Sequence, residues 1–232
     1  MKDFIGIVGF GELGSRLAGQ IISSGQAVMV YEENPSRRNL NQIEKNMLKR
    51  PVKATGAKIH FATDISEVLE NCPIIHFAIS AHTTESLPIL REDQIGILHD
   101  SVMTSSLNAA KQRADKSQLI IAHCLMNSVG RVFMAQDFGT KTNLEIAVQH
   151  FQKIELEPKF TTVDDHDNLM AKSQALALSL VRTGVHEDLK QAAIANDLTP
   201  SGEQILHSLN HIEMIWTPET IASLLKNPYI EN

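Results

Sequence analysis

Apolar positions along this chain follow two rhythms. Through the first two thirds, short unbroken apolar runs alternate with stretches whose apolar residues recur every three or four positions. Residues 4–8 form the first run, of the kind a strand buried on both faces needs. Leu13, Leu17 and Ile21 follow at helical spacing, and Gly25 stands where such a helix would end. Residues 27–31 form the second run. Residues 39–50 read as a helix with Leu40, Ile43, Met47 and Leu48 on one side. A short strand is predicted at 58–62, and Asp64 is placed to cap the helix carrying Ile65, Val68 and Leu69. Further strands are predicted at 73–79, 94–99 and 118–123, the last two separated by a polar helix around 104–114. Alternating β and α units predict an α/β fold, a doubly wound and mostly parallel sheet with helices on both faces. Ligands of such sheets lie beyond the carboxyl ends of the strands. The positions that count are therefore Gly9 to Gly14, Glu32, Ser80, Asp100 and His123.

From Asp164 the rhythm is helical only. Asp164 is a candidate N-cap, with Asp167 in the first turn beside the positive helix end. Residues 169–181 are apolar on nearly every side, so a helix there must be surrounded. About fifty residues remain, broken by Pro200, Pro218 and Pro228, which is little to cover it. The expected organisation is a sheet domain over residues 1–163 and a small all-helical domain over 164–232. The second buries its apolar helix in a homodimer.

The first strand stops at Gly9-Phe10-Gly11-Glu12-Leu13-Gly14. Three glycines between a strand and a helix fit a dinucleotide. The first permits a tight turn, the second lets a pyrophosphate approach the backbone, and the third lets helix and strand pack closely. Free amides at the helix start hold the phosphates. Glu32 ends the second run eighteen residues past Gly14, where an acid accepts hydrogen bonds from an adenosine ribose. The expected fold is thus Rossmann-type. Its predicted cofactor-binding set is Gly9, Phe10, Gly11, Glu12, Leu13, Gly14, Glu32 and Ser80. NAD is the expected cofactor, and Arg37 and Arg38 keep NADP open.

Composition narrows the partners. A net charge of −6 over 232 residues gives no basic footprint for nucleic acid. No apolar run reaches membrane-spanning length. The first strand begins within a few residues of Met1, leaving no room for a signal peptide, and a cytoplasmic setting is expected. Cys72 and Cys124 lack metal-ligand spacing and read as buried free thiols. His207 and His211 are four apart, but no Glu follows His207 as a zinc motif requires, so no metal is expected. His166, between two aspartates at a helix start, reads as structural.

Three further segments carry a family likeness. The run Ile120-Ile121-Ala122-His123-Cys124-Leu125-Met126 resembles the strand that carries the catalytic histidine of prephenate and arogenate dehydrogenases. Asp164-Asp165-His166-Asp167-Asn168-Leu169-Met170-Ala171 resembles the segment that opens their helical dimerisation domain. Leu224-Leu225-Lys226-Asn227-Pro228-Tyr229 is similar to the ending of some members. The resemblance implies oxidative decarboxylation of a cyclohexadienyl acid, in tyrosine biosynthesis, with His123 taking the hydroxyl proton. The family's serine and lysine positions hold Met103 and Ser105, and Cys124 replaces a proline. The second histidine falls at Ala177 or Leu178, and no arginine stands near residues 201–204. Ser101, Thr104 and Arg131 are the expected substrate-binding residues, with Arg182 as a further cation. Two alternatives stay open: a dinucleotide-binding protein without this chemistry, and a dehydrogenase or reductase for another hydroxy or imino acid.

Overall fold

The computed structural model describes residues 4–39, 58–79, 87–125, 130–182, 185–194, 206, 210 and 227–229, with backbone only at 173–182 and 185–186. Eight strands make one sheet: β1 (Ile5–Val8), β2 (Val28–Tyr31), β3 (Ile59–Phe61), β4 (Ile74–Phe77), β5 (Ile95–His99), β6 (Leu119–Leu125), β7 (Arg131–Ala135) and β8 (Glu157–Thr161). Their order is β3-β2-β1-β4-β5-β6-β7-β8. The pairings from β3 to β6 are parallel, β6 and β7 are antiparallel, and β7 and β8 are parallel. The order reverses between β1 and β4, and in open sheets ligands lie beyond the carboxyl ends of the strands at such a switch point.

Side chains alternate between the two faces of each strand. One face meets α1 (Glu12–Ser23) and α4 (Lys141–Lys153). There Leu17, Ala18 and Ile21 from α1, with Ala147 and Phe151 from α4, close on Ile5, Ile7, Ile97, Ile120 and Ala122. The other face meets α2 (Ile65–Asn71) and α3 (Met103–Lys111), where Val68 and Ala110 pack with Val8, Ile75, Phe77 and Leu98. Fully burying a side chain of this size contributes about 1.5–3 kcal/mol, so the continuous apolar runs are what make the sheet two-sided. Among the described residues no helix is long and apolar enough to cross a membrane.

The predicted strands lie where the apolar runs placed them. Asp64 caps α2 as expected, its Oδ1 accepting from the Ser66 amide at 2.8 Å. Three differences have local causes. β6 continues to Leu125 because Arg131 of β7 pairs with it, so His123 lies inside the strand and not at its end. Asp164 is not the N-cap: the helix α5 (Val163–Arg182) begins one residue earlier, and Asp164 sits in its first turn. β7, α4 and β8 extend the sheet beyond the predicted strands. The helix predicted at 39–50 lies outside the described residues.

The chain divides into two compact units, Met1–Val163 and Asp164–Asn232. Within the second, α5 is followed by α6 (Val185–Ile194). His166 and Asp167 are fully buried, with His166 Nδ1 at 2.8 Å from Asp167 Oδ1. Asn227 donates to the Asp167 carbonyl at 2.9 Å, tying the chain's end to the start of α5.

Candidate dinucleotide-binding and active site

The glycine loop is built by contact, residue by residue. Gly9 has φ +93°, and its amide donates to the Tyr31 carbonyl at 2.8 Å. A Cβ on Gly9 would meet the Ala78 carbonyl oxygen at 2.5 Å, and one on Gly14 would meet the Gly9 oxygen at 2.0 Å. Both glycines are required by the fold itself. Gly11 is different: a Cβ there would have nothing within 4 Å. Gly11 is the N-cap of α1 and makes no side-chain cap, so the amides of the first turn are left for an incoming acceptor. Glu12 turns to Arg16 at 2.6 Å, which offsets its charge at this helix start. Leu13 packs on the core.

Phe10 and Glu32 lock this loop to β2. The Phe10 ring is 1% exposed and meets Phe61 edge-on, with centroids 5.3 Å apart. Its amide donates to Glu32 Oε2 at 2.6 Å. Glu32 Oε1 accepts from the Asn34 amide at 2.9 Å. A carboxylate offers about four acceptor directions, so this buried group keeps lone pairs for ribose hydroxyls. Arg38 donates through Nε to the Glu32 carbonyl at 2.8 Å, while Arg37 is exposed. Ser80 lies outside the described residues.

At the far side of the switch point the sheet presents His123. Ile120, Ala122 and Cys124 turn to the α1–α4 face of β6, so Ile121, His123 and Leu125 project from the other. Ile121 is fully buried with Met103 of α3, Ala135 and Val163. His123 is the next step outward and is half-buried, directly opposite Phe133 of β7. Arg131 lies on the same face, one diagonal step away. Its Nε and Nη2 both reach Glu157 Oε2, each at 3.4 Å. Ser101 is half-buried in the turn after β5, and Thr104 is half-buried in the first turn of α3. Asp100 fixes that turn by accepting from the Val102 amide at 3.1 Å and the Ser106 hydroxyl at 3.2 Å. So His123 and Arg131 share one face of the sheet, and α3, which carries Thr104, packs on that face through Met103 and Leu107, with Ser101 in the turn that precedes it. The sequence reading missed Glu157 and Lys159, which β8 adds to this face. Their register with β7 was the signal, and it is not visible before the strands are paired.

It also missed a buried chain of imidazoles on the opposite face. His76 of β4 is fully buried. Its Nδ1 is 2.8 Å from His99 Nε2, and its Nε2 is 2.8 Å from His150 Nε2 of α4. His99 Nδ1 is 3.5 Å from the Cys124 thiol. A neutral ring has one donor and one acceptor nitrogen, so the chain is satisfied when every proton points the same way. Burial pushes His99 down to about 3 and His150 to about 4, and it drives His76 well below the ordinary histidine value. The thiol of Cys124 is pushed up by the same burial. These groups are neutral scaffolding, and among the described residues no group of acids, histidines and cysteines is arranged to hold a metal.

The profile of the NAD binding domain of 6-phosphogluconate dehydrogenase matches residues 4–122. The chain belongs to this family of NAD-binding domains. No curated protein matches it in sequence. Among solved structures, prephenate dehydrogenase from A. aeolicus, in complex with hydroxyphenyl propionate and NAD+, is similar with TM-score 0.60 at 15% identity, over 97% of this chain and 94% of that one. Synechocystis arogenate dehydrogenase gives 0.59 at 16%, over 98% and 79%. (S)-3-Hydroxybutyryl-CoA dehydrogenase from Ralstonia eutropha gives 0.60 at 12%, over 80% and 73%. The fold is therefore one that several dehydrogenases share.

The residues present fit the family's NAD. At Gly11 the protein puts nothing where a side chain would go, which leaves that space for the diphosphate. The uncapped amides of α1 point to the same place. Glu32 directly follows β2, the position at which an acid in folds of this type accepts hydrogen bonds from an adenosine ribose.

Proposed function

We propose that this NAD-binding chain is a dehydrogenase of the prephenate and arogenate type. It would oxidise the ring alcohol of a cyclohexadienyl acid with loss of carbon dioxide. The observation that carries this reading is the position of His123. It lies near the carboxyl end of β6 but inside the strand, half-buried, on the face that also holds Arg131 and on which the helix carrying Thr104 packs. NAD, when bound, supplies the hydride acceptor. His123 accepts a hydrogen bond from the substrate hydroxyl and takes its proton, the general-base role to which a histidine ring is suited. Ser101 and Thr104 offer hydroxyls to the substrate, and Arg131 offers a guanidinium to its carboxylate. Glu32 favours NAD over NADP, because its carboxylate beside the ribose repels a 2′-phosphate. Gly9, Phe10, Gly11, Glu12, Leu13 and Gly14 form the phosphate loop.

The direct test is product formation from prephenate and from arogenate, each with NAD+ and NADP+. Turnover of one acid with NAD+ is expected. His123→Asn should lower kcat by about 10²- to 10⁴-fold, the usual contribution of a positioned general base. Full activity in that variant sinks the mechanism. Met103 and Ser105, at the positions of the family's serine and lysine, favour a second reading. In it the chain binds the dinucleotide but acts on a less anionic hydroxy acid, or on none. NAD+ binding without turnover of either cyclohexadienyl acid selects that reading, and a panel of small hydroxy acids divides its two branches.

A further inference from the structure

The start of α1 carries one charge of each sign, and the expected cofactor set names only the acid. Glu12 is the first residue of the helix, and Arg16 follows one turn later. Long side chains on a helix lean back towards its N-terminus, so Arg16 reaches the level of the first turn. There its Nη2 donates to Glu12 Oε1 at 2.6 Å. The Glu12 side chain is 47% exposed, while that of Arg16 is only 17% exposed. The guanidinium is therefore the enclosed member of the pair and the carboxylate the open one.

Other groups of the loop are already committed. The Phe10 amide donates to Glu32, and the Gly9 amide donates to the Tyr31 carbonyl. Ser15 is fully buried, and its hydroxyl donates to the Gly11 carbonyl at 2.8 Å. What faces the open space at Gly11 is the uncapped amides of the first turn, which are neutral donors. A diphosphate brings its negative charge to a turn that already holds a carboxylate. Arg16 is the one basic residue of α1. A guanidinium fork takes a phosphate with the same paired donors that it offers to a carboxylate. An acid in the first turn is favoured by the helix dipole, so Glu12 uses the same field that draws a diphosphate in.

We infer that Arg16 is a diphosphate-binding residue and that Glu12 is its built-in competitor. When the dinucleotide binds, Arg16 exchanges the Glu12 carboxylate for phosphate oxygens, and Glu12, the open member, turns to solvent. The bonds that hold the loop, from Phe10 to Glu32 and from Gly9 to Tyr31, are untouched by the exchange. Breaking the ion pair is subtracted from the binding free energy, so Glu12 keeps the cofactor site weaker than its amides and its guanidinium alone would make it. The inference rests on the NAD site and needs neither His123 nor a particular substrate.

An ordinary acid–base pair four residues apart only braces its helix. Removing either partner then breaks the same bond, and the two substitutions act alike. The exchange predicts opposite signs. Calorimetric titration of NAD+ into the full chain and its variants reads them. Glu12→Gln should lower the dissociation constant about threefold or more, and Arg16→Gln should raise it about tenfold or more. Arg16→Gln should also flatten the dependence on salt between about 25 and about 250 mM, because a screened charge pair has been lost. The double variant Glu12→Gln/Arg16→Gln should stay about threefold weaker than the parent, since the phosphate contact is gone. Its return to parental affinity would mean that the two charges merely cancel, and would overturn the exchange. Shifts in the same direction, or none in either single variant, overturn it too. Glu12 is exposed, so Glu12→Gln keeps the question open to test if Arg16→Gln does not fold: unchanged or weaker NAD+ binding by it is enough to reject the competitor. Failure of the unaltered chain to bind NAD+ removes the cofactor site and the exchange with it.

Discussion

Glycine at 11 and glycine at 14 answer different demands. Gly14 is pressed against the Gly9 carbonyl, so Gly14→Ala should cost about 3 kcal/mol or more of stability by overpacking. Gly11 has φ −71° and ψ −157°, a backbone that alanine adopts freely, with open space around it. Gly11→Ala should leave stability within about 0.5 kcal/mol of the parent, as for other substitutions that meet no neighbour. It should weaken NAD+ binding by about tenfold or more, a change of about 1.4 kcal/mol. Urea unfolding and an NAD+ titration on the same samples check both halves. Equal losses of stability in the two variants would contradict this division. Much of this loop was legible in the sequence, because glycine spacing and a following acid are local signals. The bond from the Phe10 amide to Glu32 was not, since it joins residues brought together only by the pairing of β1 and β2.

At the scale of elements, the buried imidazoles join β4, β5 and α4 and make the fold sensitive to acid. Their folded pKa values lie below the ordinary histidine value of about 6.5 that applies to the unfolded chain. On acidification the unfolded state therefore takes up protons first. Their contribution is complete above pH 6.5 and is lost as pH falls towards 4 and then 3. Each proton adds about 1.4 kcal/mol of stability loss per pH unit, so three approach roughly 4 kcal/mol per unit. Denaturant melts at pH 7.5, 6 and 5 should show a midpoint that drops steeply below pH 6.5. A flat profile across that range would show that the rings are not neutral and enclosed. The sequence could not announce this cluster: positions 76, 99 and 150 have no common spacing, and each reads as a lone histidine in an apolar setting. The same limit hid β8. Glu157-Pro158-Lys159-Phe160-Thr161 lacks a continuous apolar run because it is an edge strand, half exposed, with Phe160 itself 53% exposed. The central strands were readable because burial on both faces leaves an unbroken apolar signature, as in Ile120, Ile121 and Ala122.

For the whole molecule, the chain combines a dinucleotide-binding unit with a second unit that begins at Asp164. We propose that the second unit makes a homodimer through α5, whose sequence from Leu169 to Val181 offers almost no polar face to water. Light scattering at micromolar concentration should return twice the chain mass of 25.7 kDa. A monomer at that concentration would remove the dimer but leave the nucleotide site intact. The most direct measurement is a calorimetric titration of the full chain with NAD+. The account predicts one site per chain with a dissociation constant between about 1 μM and 1 mM, the range in which enzymes commonly hold their substrates. No heat at millimolar NAD+ would contradict it, because a loop of bare amides beside an empty Cβ position would then have no phosphate to receive.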